Sequence, residues 1–201
     1  YIGGAGISNT SALAIGGYVT TPRAFTESWN GSSWTEVADL NTARFALTAA
    51  GTQTSAIAAG GATPPAPRPS NSETWNGTAW TNNGTLNTTR DGLASAGTDS
   101  TNALIFAGTN GSALAVNESW NGSAWTELAD LNTARWSLGG AGVSNTSALA
   151  FGGNLPGNTA VTELWNGTSW SEQNDMSTAR REIAGAGNAT AALGFDGYAG
   201  A

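Results

Sequence analysis

A five-residue block, Glu-Ser-Trp-Asn-Gly at Glu27–Gly31, returns at Glu73–Gly77 with Thr74, at Glu118–Gly122 unchanged, and at Glu163–Gly167 with Leu164. Its tryptophans, Trp29, Trp75, Trp120 and Trp165, lie 46, 45 and 45 residues apart. A unit of that size cannot bury both faces of a small sheet alone, so a chain with this period folds by stacking copies of one unit. Hairpin chemistry inside each copy narrows the choice to a β-propeller or a solenoid. The 201 residues suffice for one well-buried domain. The repeat argues against two unrelated ones, so residues 1–201 are read as a single domain.

Each unit contains four short strand-like segments. The first is small and weakly apolar, as in Leu47–Gly51, Leu138–Gly142 and Ile183–Gly187. The second alternates with period two and closes on glycines, as in Ala12–Gly17 and Ala148–Gly153. The third runs into Trp-Asn-Gly, and the fourth carries a second tryptophan, as in Ala124–Leu128. Asn-Gly between strand-like runs predicts a hairpin, with both residues suited to the positive φ of a type I′ turn. A two-residue loop makes Trp29 and Trp34 diagonal neighbours, whereas a four-residue loop sets them directly opposite. Either register puts both indoles on one side of the sheet, where each pair is expected to fill the gap between neighbouring blades. A first strand made of Gly and Ala suits the crowded axis of a propeller. A solenoid gives no reason for one strand in four to be so small, so the predicted fold is an all-β propeller of four-stranded antiparallel blades.

First and second segments occur five times, beginning near Ile2, Leu47, Leu93, Leu138 and Ile183, while the third and fourth occur only four times. This predicts about five blades with the last incomplete, and a chain cut from a longer protein. The exposed edge of a half blade favours pairing with another chain, so a homo-oligomer through the incomplete blade is expected.

Composition removes several function classes. The formal net charge is −7, and all seven basic residues are arginines. Nucleic acid and anionic membranes are therefore not expected partners, since a basic face supplies most of that affinity. No stretch approaches the roughly 18 apolar residues of a membrane span, so no membrane insertion is expected. Without histidine or cysteine, the usual general base, thiolate nucleophile and best metal ligands are missing. No catalytic residues, metal site or cofactor are therefore assigned, and the chain is read as a non-enzyme. The acids Glu27, Glu73, Glu118 and Glu163 sit at repeated positions, which points to a structural or solubilising role. The Asn-Gly-Ser/Thr sites at Asn30, Asn76, Asn121 and Asn166 are explained by turn chemistry rather than glycosylation.

The double glycine closing strand two, the tryptophans of strands three and four, and an arginine before the next strand one together resemble the Kelch repeat. In the first unit these are Gly16-Gly17, Trp29, Trp34 and Arg44. The second has Gly60-Gly61, Trp75, Trp80 and Arg90; the third Ala107-Gly108, Trp120, Trp125 and Arg135; the fourth Gly152-Gly153, Trp165, Trp170 and Arg180. Kelch repeats usually carry tyrosine at the first tryptophan, and the glycine pair degrades to Ala107-Gly108 and Asp196-Gly197. The near-identical, low-complexity units resemble Kelch-type arrays of bacteriophage tail and other virion proteins, which implies a virion or extracellular location and a role in host attachment. The copper oxidases built on a Kelch propeller need histidine ligands, and this chain has none.

Candidate binding residues follow from where the repeat holds and where it breaks. Arg44, Arg90, Arg135 and Arg180 suggest a ring of guanidinium groups at one mouth of the channel, set to grip carboxylates or sulfates. The competing reading makes each a loop lock on carbonyls of the neighbouring blade. The connections Tyr18–Arg23, Ala62–Asn71, Thr109–Ala115 and Asn154–Ala160 vary while their scaffold repeats, the pattern expected where binding lives. Ala62–Pro69 has polyproline character. Trp136, whose equivalents are Phe45, Asp91 and Arg181, is the single residue best placed for a ligand. The expected function is a non-catalytic module that binds a host-surface glycan or protein through its variable loops. The alternative is a protein–protein assembly module within a larger structural protein.

Overall fold

The computed structural model describes residues 2–65 and 67–200. Ala66, inside the proline-rich loop, lies outside them, as do Tyr1 and Ala201. The first sheet is β1 (Gly3–Ser8), β2 (Ser11–Tyr18), β3 (Pro22–Trp29) and β4 (Trp34–Glu36). The second is β5 (Thr48–Gly51), β6 (Ala56–Ala59), β7 (Asn71–Trp75) and β8 (Trp80–Thr85). The third is β9 (Ala94–Asp99), β10 (Asn102–Phe106), β11 (Asn117–Trp120) and β12 (Trp125–Glu127). The fourth is β13 (Gly139–Ser144), β14 (Ser147–Phe151), β15 (Thr162–Trp165) and β16 (Trp170–Glu172). A fifth unit contributes only β17 (Ala184–Asn188) and β18 (Ala191–Phe195). Each full sheet is an antiparallel meander in chain order. The first strands of all five units line one central cavity of about 550 Å³. The arrangement is all-β and propeller-like, and the small residues of strand one stand at the axis, as their size requires. No helix long and apolar enough to cross a membrane occurs among the described residues.

The tryptophan hairpins use the longer loop. Trp29 pairs directly with Trp34, and the same register sets Trp75 opposite Trp80, Trp120 opposite Trp125 and Trp165 opposite Trp170. Gly31 has φ +96° while Asn30 does not enter the left-handed region, so the expected type I′ turn is not formed. Asn30 instead works through its side chain, Oδ1 accepting the N–H groups of Ser32 (2.9 Å) and Ser33 (3.0 Å). The paired rings stand 5.3–5.5 Å apart. Three of the four pairs are buried against the preceding unit: Trp75 and Trp80 cluster with Leu13, Ile15 and Leu40, and Trp165 and Trp170 with Leu104, Phe106 and Leu131. Two indole N–H groups find partners across the same seam, Trp80 on Thr26 Oγ1 and Trp125 on Ser72 Oγ, both at 3.0 Å, whereas that of Trp170 is buried with no hydrogen-bond partner among the described residues.

The glycine pair divides into two jobs. Its first position is left-handed with φ between +60° and +66°, and Ala107 and Asp196 occupy it alongside Gly16, Gly60 and Gly152. An L-residue tolerates that well at a cost of about 1–2 kcal/mol, so the pattern can degrade there. The second position has φ of +99° to +123° and is glycine every time. There the N–H donates to the carbonyl of the repeated arginine, as from Gly61 to Arg90 (3.0 Å) and from Gly153 to Arg180 (2.9 Å). A Cβ on Gly153 would stand 2.9 Å from Trp136 O. Gly153→Ala is therefore expected to cost about 1–3 kcal/mol in urea unfolding. A loss of less than 0.5 kcal/mol (on the order of a surface change) would contradict this account of the invariant glycine.

Candidate functional site

The repeated arginines occupy the loop that passes from one blade to the next. Arg44 binds the first unit with its backbone, its N–H donating to Arg23 O (3.0 Å) and its carbonyl accepting from Gly17 (2.9 Å). Its side chain turns into the second unit, where the guanidinium pairs with Glu73 and donates to Asn71 O (2.8 Å). Arg90 pairs with Glu118 and Arg135 with Glu163 in the same way. All three arginines are fully buried. The remaining acceptor sites of Glu73 take Asn41 N (2.7 Å), Asn41 Nδ2 (2.9 Å) and Thr42 N (3.2 Å), and Asn87-Thr88 and Asn132-Thr133 repeat these contacts on Glu118 and Glu163. Burial lowers the pKa of Arg44, while the charge and hydrogen bond of Glu73 work in the opposite direction.

The suggested ring of guanidinium groups at the channel mouth is therefore not what the structure builds from Arg44, Arg90 and Arg135. A charge with no solvent contact and a carboxylate already bound has nothing to offer a ligand. These residues are interblade locks: they donate to carbonyls of the neighbouring unit, as the loop-lock reading expects, and each also pairs with a carboxylate there. Arg180 is different: half-buried, it meets no carboxylate among the described residues, and Nη2 donates to Gly194 O at 3.2 Å.

The mouth itself is made by residues with no sequence signature. Ala46, Gly92, Ser137 and Glu182 are all left-handed, with φ of +52°, +61°, +53° and +59°. Their backbones link blade to blade: Gly92 N donates to Ala46 O (2.9 Å), Ser137 N to Gly92 O (2.7 Å) and Glu182 N to Ser137 O (2.7 Å). Beneath this lip lie Leu47, Leu93, Leu138 and Ile183, and together they bound a cavity of about 380 Å³. The floor is apolar, and Glu182 is the one carboxylate on the lip. No group of three or more His, Cys, Asp or Glu side chains is placed to hold a metal among the described residues.

Around the lip stand the variable positions 45, 91, 136 and 181, each bridged through its backbone to a variable loop or its equivalent. Phe45 packs on Tyr18 with ring centroids 4.9 Å apart, Asp91 pairs with Arg68, and Arg181 lies 4.7 Å over the Tyr198 ring. Arg68 also donates to Asn110 O (3.2 Å), tying the second loop to the third. The second loop turns at Pro64-Pro65, a cis peptide bond, instead of running as an extended polyproline segment. Trp136 is half-buried, and its indole has no aromatic or cationic partner among the described residues. Gly92 leaves room beside it: a Cβ there would come within 3.5 Å of Trp136 Cε3. Trp136 thus presents part of a large ring beside a polar lip, which suits stacking and hydrogen bonding rather than proton transfer.

No protein-family model matches the chain, and no curated protein matches it. Solved structures do: the structure of YjhT superposes with a TM-score of 0.79 at 12% identity, over 98% of this chain and 77% of that one. At that identity the likeness establishes the fold alone.

The lock carboxylates were legible in one respect that single-residue reading overlooks. Arginine and glutamate both repeat, and each glutamate follows its arginine by 29, 28 and 28 residues. A constant offset between opposite charges in a repeat is a pairing signal.

Proposed function

We propose that this chain is a non-catalytic binding module of Kelch type, working on a virion or outside a cell, that recognises a surface glycan or protein with the channel mouth on its variable-loop face. Trp136 carries this reading. Of the four variable positions around the lip it alone keeps a half-buried aromatic ring that no described aromatic or cationic side chain engages. A flat apolar face beside Ser137 and the loop carbonyls matches a saccharide ring with its hydroxyls, and no converging pair of carboxylates lines the mouth cavity. The arginines drop out of this site, and Trp136, Ser137 and Glu182 take their place.

The test is an array of bacterial and algal surface polysaccharides probed with the purified chain and with Trp136→Ala. The expected result is a saccharide bound by the parent and weakened at least tenfold in the variant, equivalent to about 1.4 kcal/mol. Binding that survives the substitution, or no binding at all, overturns the glycan reading.

A further inference from the structure

We propose that Asn110-Gly111, in the third variable loop, is a self-modification site at which the asparagine side-chain amide is lost and the residue becomes isoaspartate, with Arg68 directing the outcome. The site stands independent of the glycan reading. It lies in the third unit, which has a complete unit on either side.

The chain carries six Asn-Gly pairs, beginning at Asn30, Asn76, Asn83, Asn110, Asn121 and Asn166. Each is self-reactive in principle, because glycine has no side chain to shield its nitrogen and lets the backbone turn onto the asparagine. The fold treats them differently. In the four repeated turns the asparagine Oδ1 accepts the next two backbone N–H groups after the glycine, all at 2.9–3.0 Å. The glycine of each turn also packs on the tip of the first hairpin of its own unit. A Cβ there would lie 3.2–3.4 Å from Thr10, Thr54, Thr101 or Thr146. Turning the side-chain carbonyl onto the glycine nitrogen would break both hydrogen bonds in a loop with no room to move. Asn83-Gly84 is held inside β8, where a Cβ on Gly84 would stand 2.5 Å from the Trp120 ring.

Asn110-Gly111 has none of these restraints. Asn110, Gly111 and Ser112 are all exposed, and a Cβ on Gly111 would meet nothing within 4 Å. Asn110 Oδ1 accepts from Ser112 N at 3.4 Å, which is too long to hold the amide as the repeated turns do. The Gly111 N–H donates to Thr109 Oγ1 (3.0 Å), a surface contact that water can replace. This pair is therefore the one free to reach the geometry of attack.

The reaction needs only water. Base removes the Gly111 N–H proton, the nitrogen bonds to Asn110 Cγ, and the Cγ–Nδ2 bond breaks with release of ammonia, closing a five-membered imide. Water then adds to one imide carbonyl and that carbonyl's bond to the Gly111 nitrogen breaks. Opening at the side-chain carbonyl gives aspartate. Opening at the main-chain carbonyl gives isoaspartate, with the former main-chain carbonyl released as a free carboxylate. Arg68 Nη1 donates to that main-chain oxygen, Asn110 O, at 3.2 Å. A guanidinium there stabilises the oxyanion formed as water adds and then the carboxylate that results. The product places a new negative charge on the loop face, where it competes with Asp91 for Arg68.

The test is peptide mapping of the intact chain aged in mildly alkaline buffer, with fragmentation that distinguishes isoaspartate from aspartate. In the folded protein Asn110 should convert at least tenfold faster than Asn30, Asn76, Asn83, Asn121 and Asn166. Aged in denaturant, the six should converge to within a few-fold, because the fold alone separates them. Arg68→Met should lower the share of isoaspartate among the Asn110 products and leave the other five sites unchanged. Equal rates at the six sites in the folded chain, or faster conversion at a repeated turn, overturn the proposal. An isoaspartate share that is the same with and without Arg68 overturns its directing role. Glycan binding enters none of these readouts, so the two proposals fail separately.

Discussion

Arg90→Met is expected to destabilise the fold by about 3–5 kcal/mol, because it strands the carboxylate of Glu118 in a fully buried position. The hydrogen bonds from Asn87 and Thr88 would remain, but neutral donors do not replace a guanidinium. For a chain of this length each kcal/mol is worth roughly 2–4 °C, so the melting temperature should fall by about 6–20 °C. Adding Glu118→Gln removes the stranded charge. The double variant should recover about 2 kcal/mol relative to the sum of the two single changes, within the range seen for groups in one network. Arg180→Met, at the same place in the repeat but with no carboxylate to strand, should cost no more than about 1 kcal/mol. Equal losses at Arg90 and Arg180, or strict additivity in the double variant, would contradict the lock.

The second large effect is expected at Trp120→Ala, with a loss of about 3–5 kcal/mol. Trp120 is fully buried, clustered with Ile57, Leu86 and Ile105 between the second and third units. Its removal opens a cavity in that seam, leaves Ser100 O without the indole donor at 2.9 Å, and strips Trp125 of a ring 5.3 Å away. Because each unit rests on its neighbours, the damage is to an interface and not to one blade. Trp34 supplies the internal comparison. It belongs to the same repeated pair, but no unit precedes it among the described residues, and it is 48% exposed. Trp34→Ala should cost about 1 kcal/mol or less. Urea unfolding of both variants decides the matter, and similar losses would remove the tryptophans from their place between blades.

Both expectations turn on the same physical point, that a repeated residue has the environment its neighbour gives it. Glu27, which begins the series continued by Glu73, Glu118 and Glu163, is exposed and forms no ion pair among the described residues. One sequence motif thus yields three buried locks and one solvated acid.

Features that depend on short range were legible in the chain alone. Alternation with period two set which segments are strands, the parity of five residues between Trp29 and Trp34 put both rings on one face, and Gly and Ala placed strand one at the axis. The missing third and fourth segments were also countable from the chain. What it did not determine lies across seams. Asn-Gly fits both a two-residue and a four-residue loop, and only the paired strands select the longer one, with asparagine acting through its side chain. Arg44 alone is equally suited to a ligand or to a protein partner. The choice depends on Glu73, 29 residues away on another strand, and the tertiary fold encloses both charges together. The lip of Ala46, Gly92, Ser137 and Glu182 has no common side chain because its hydrogen bonds are made by backbone. That geometry exists only once neighbouring blades are in contact.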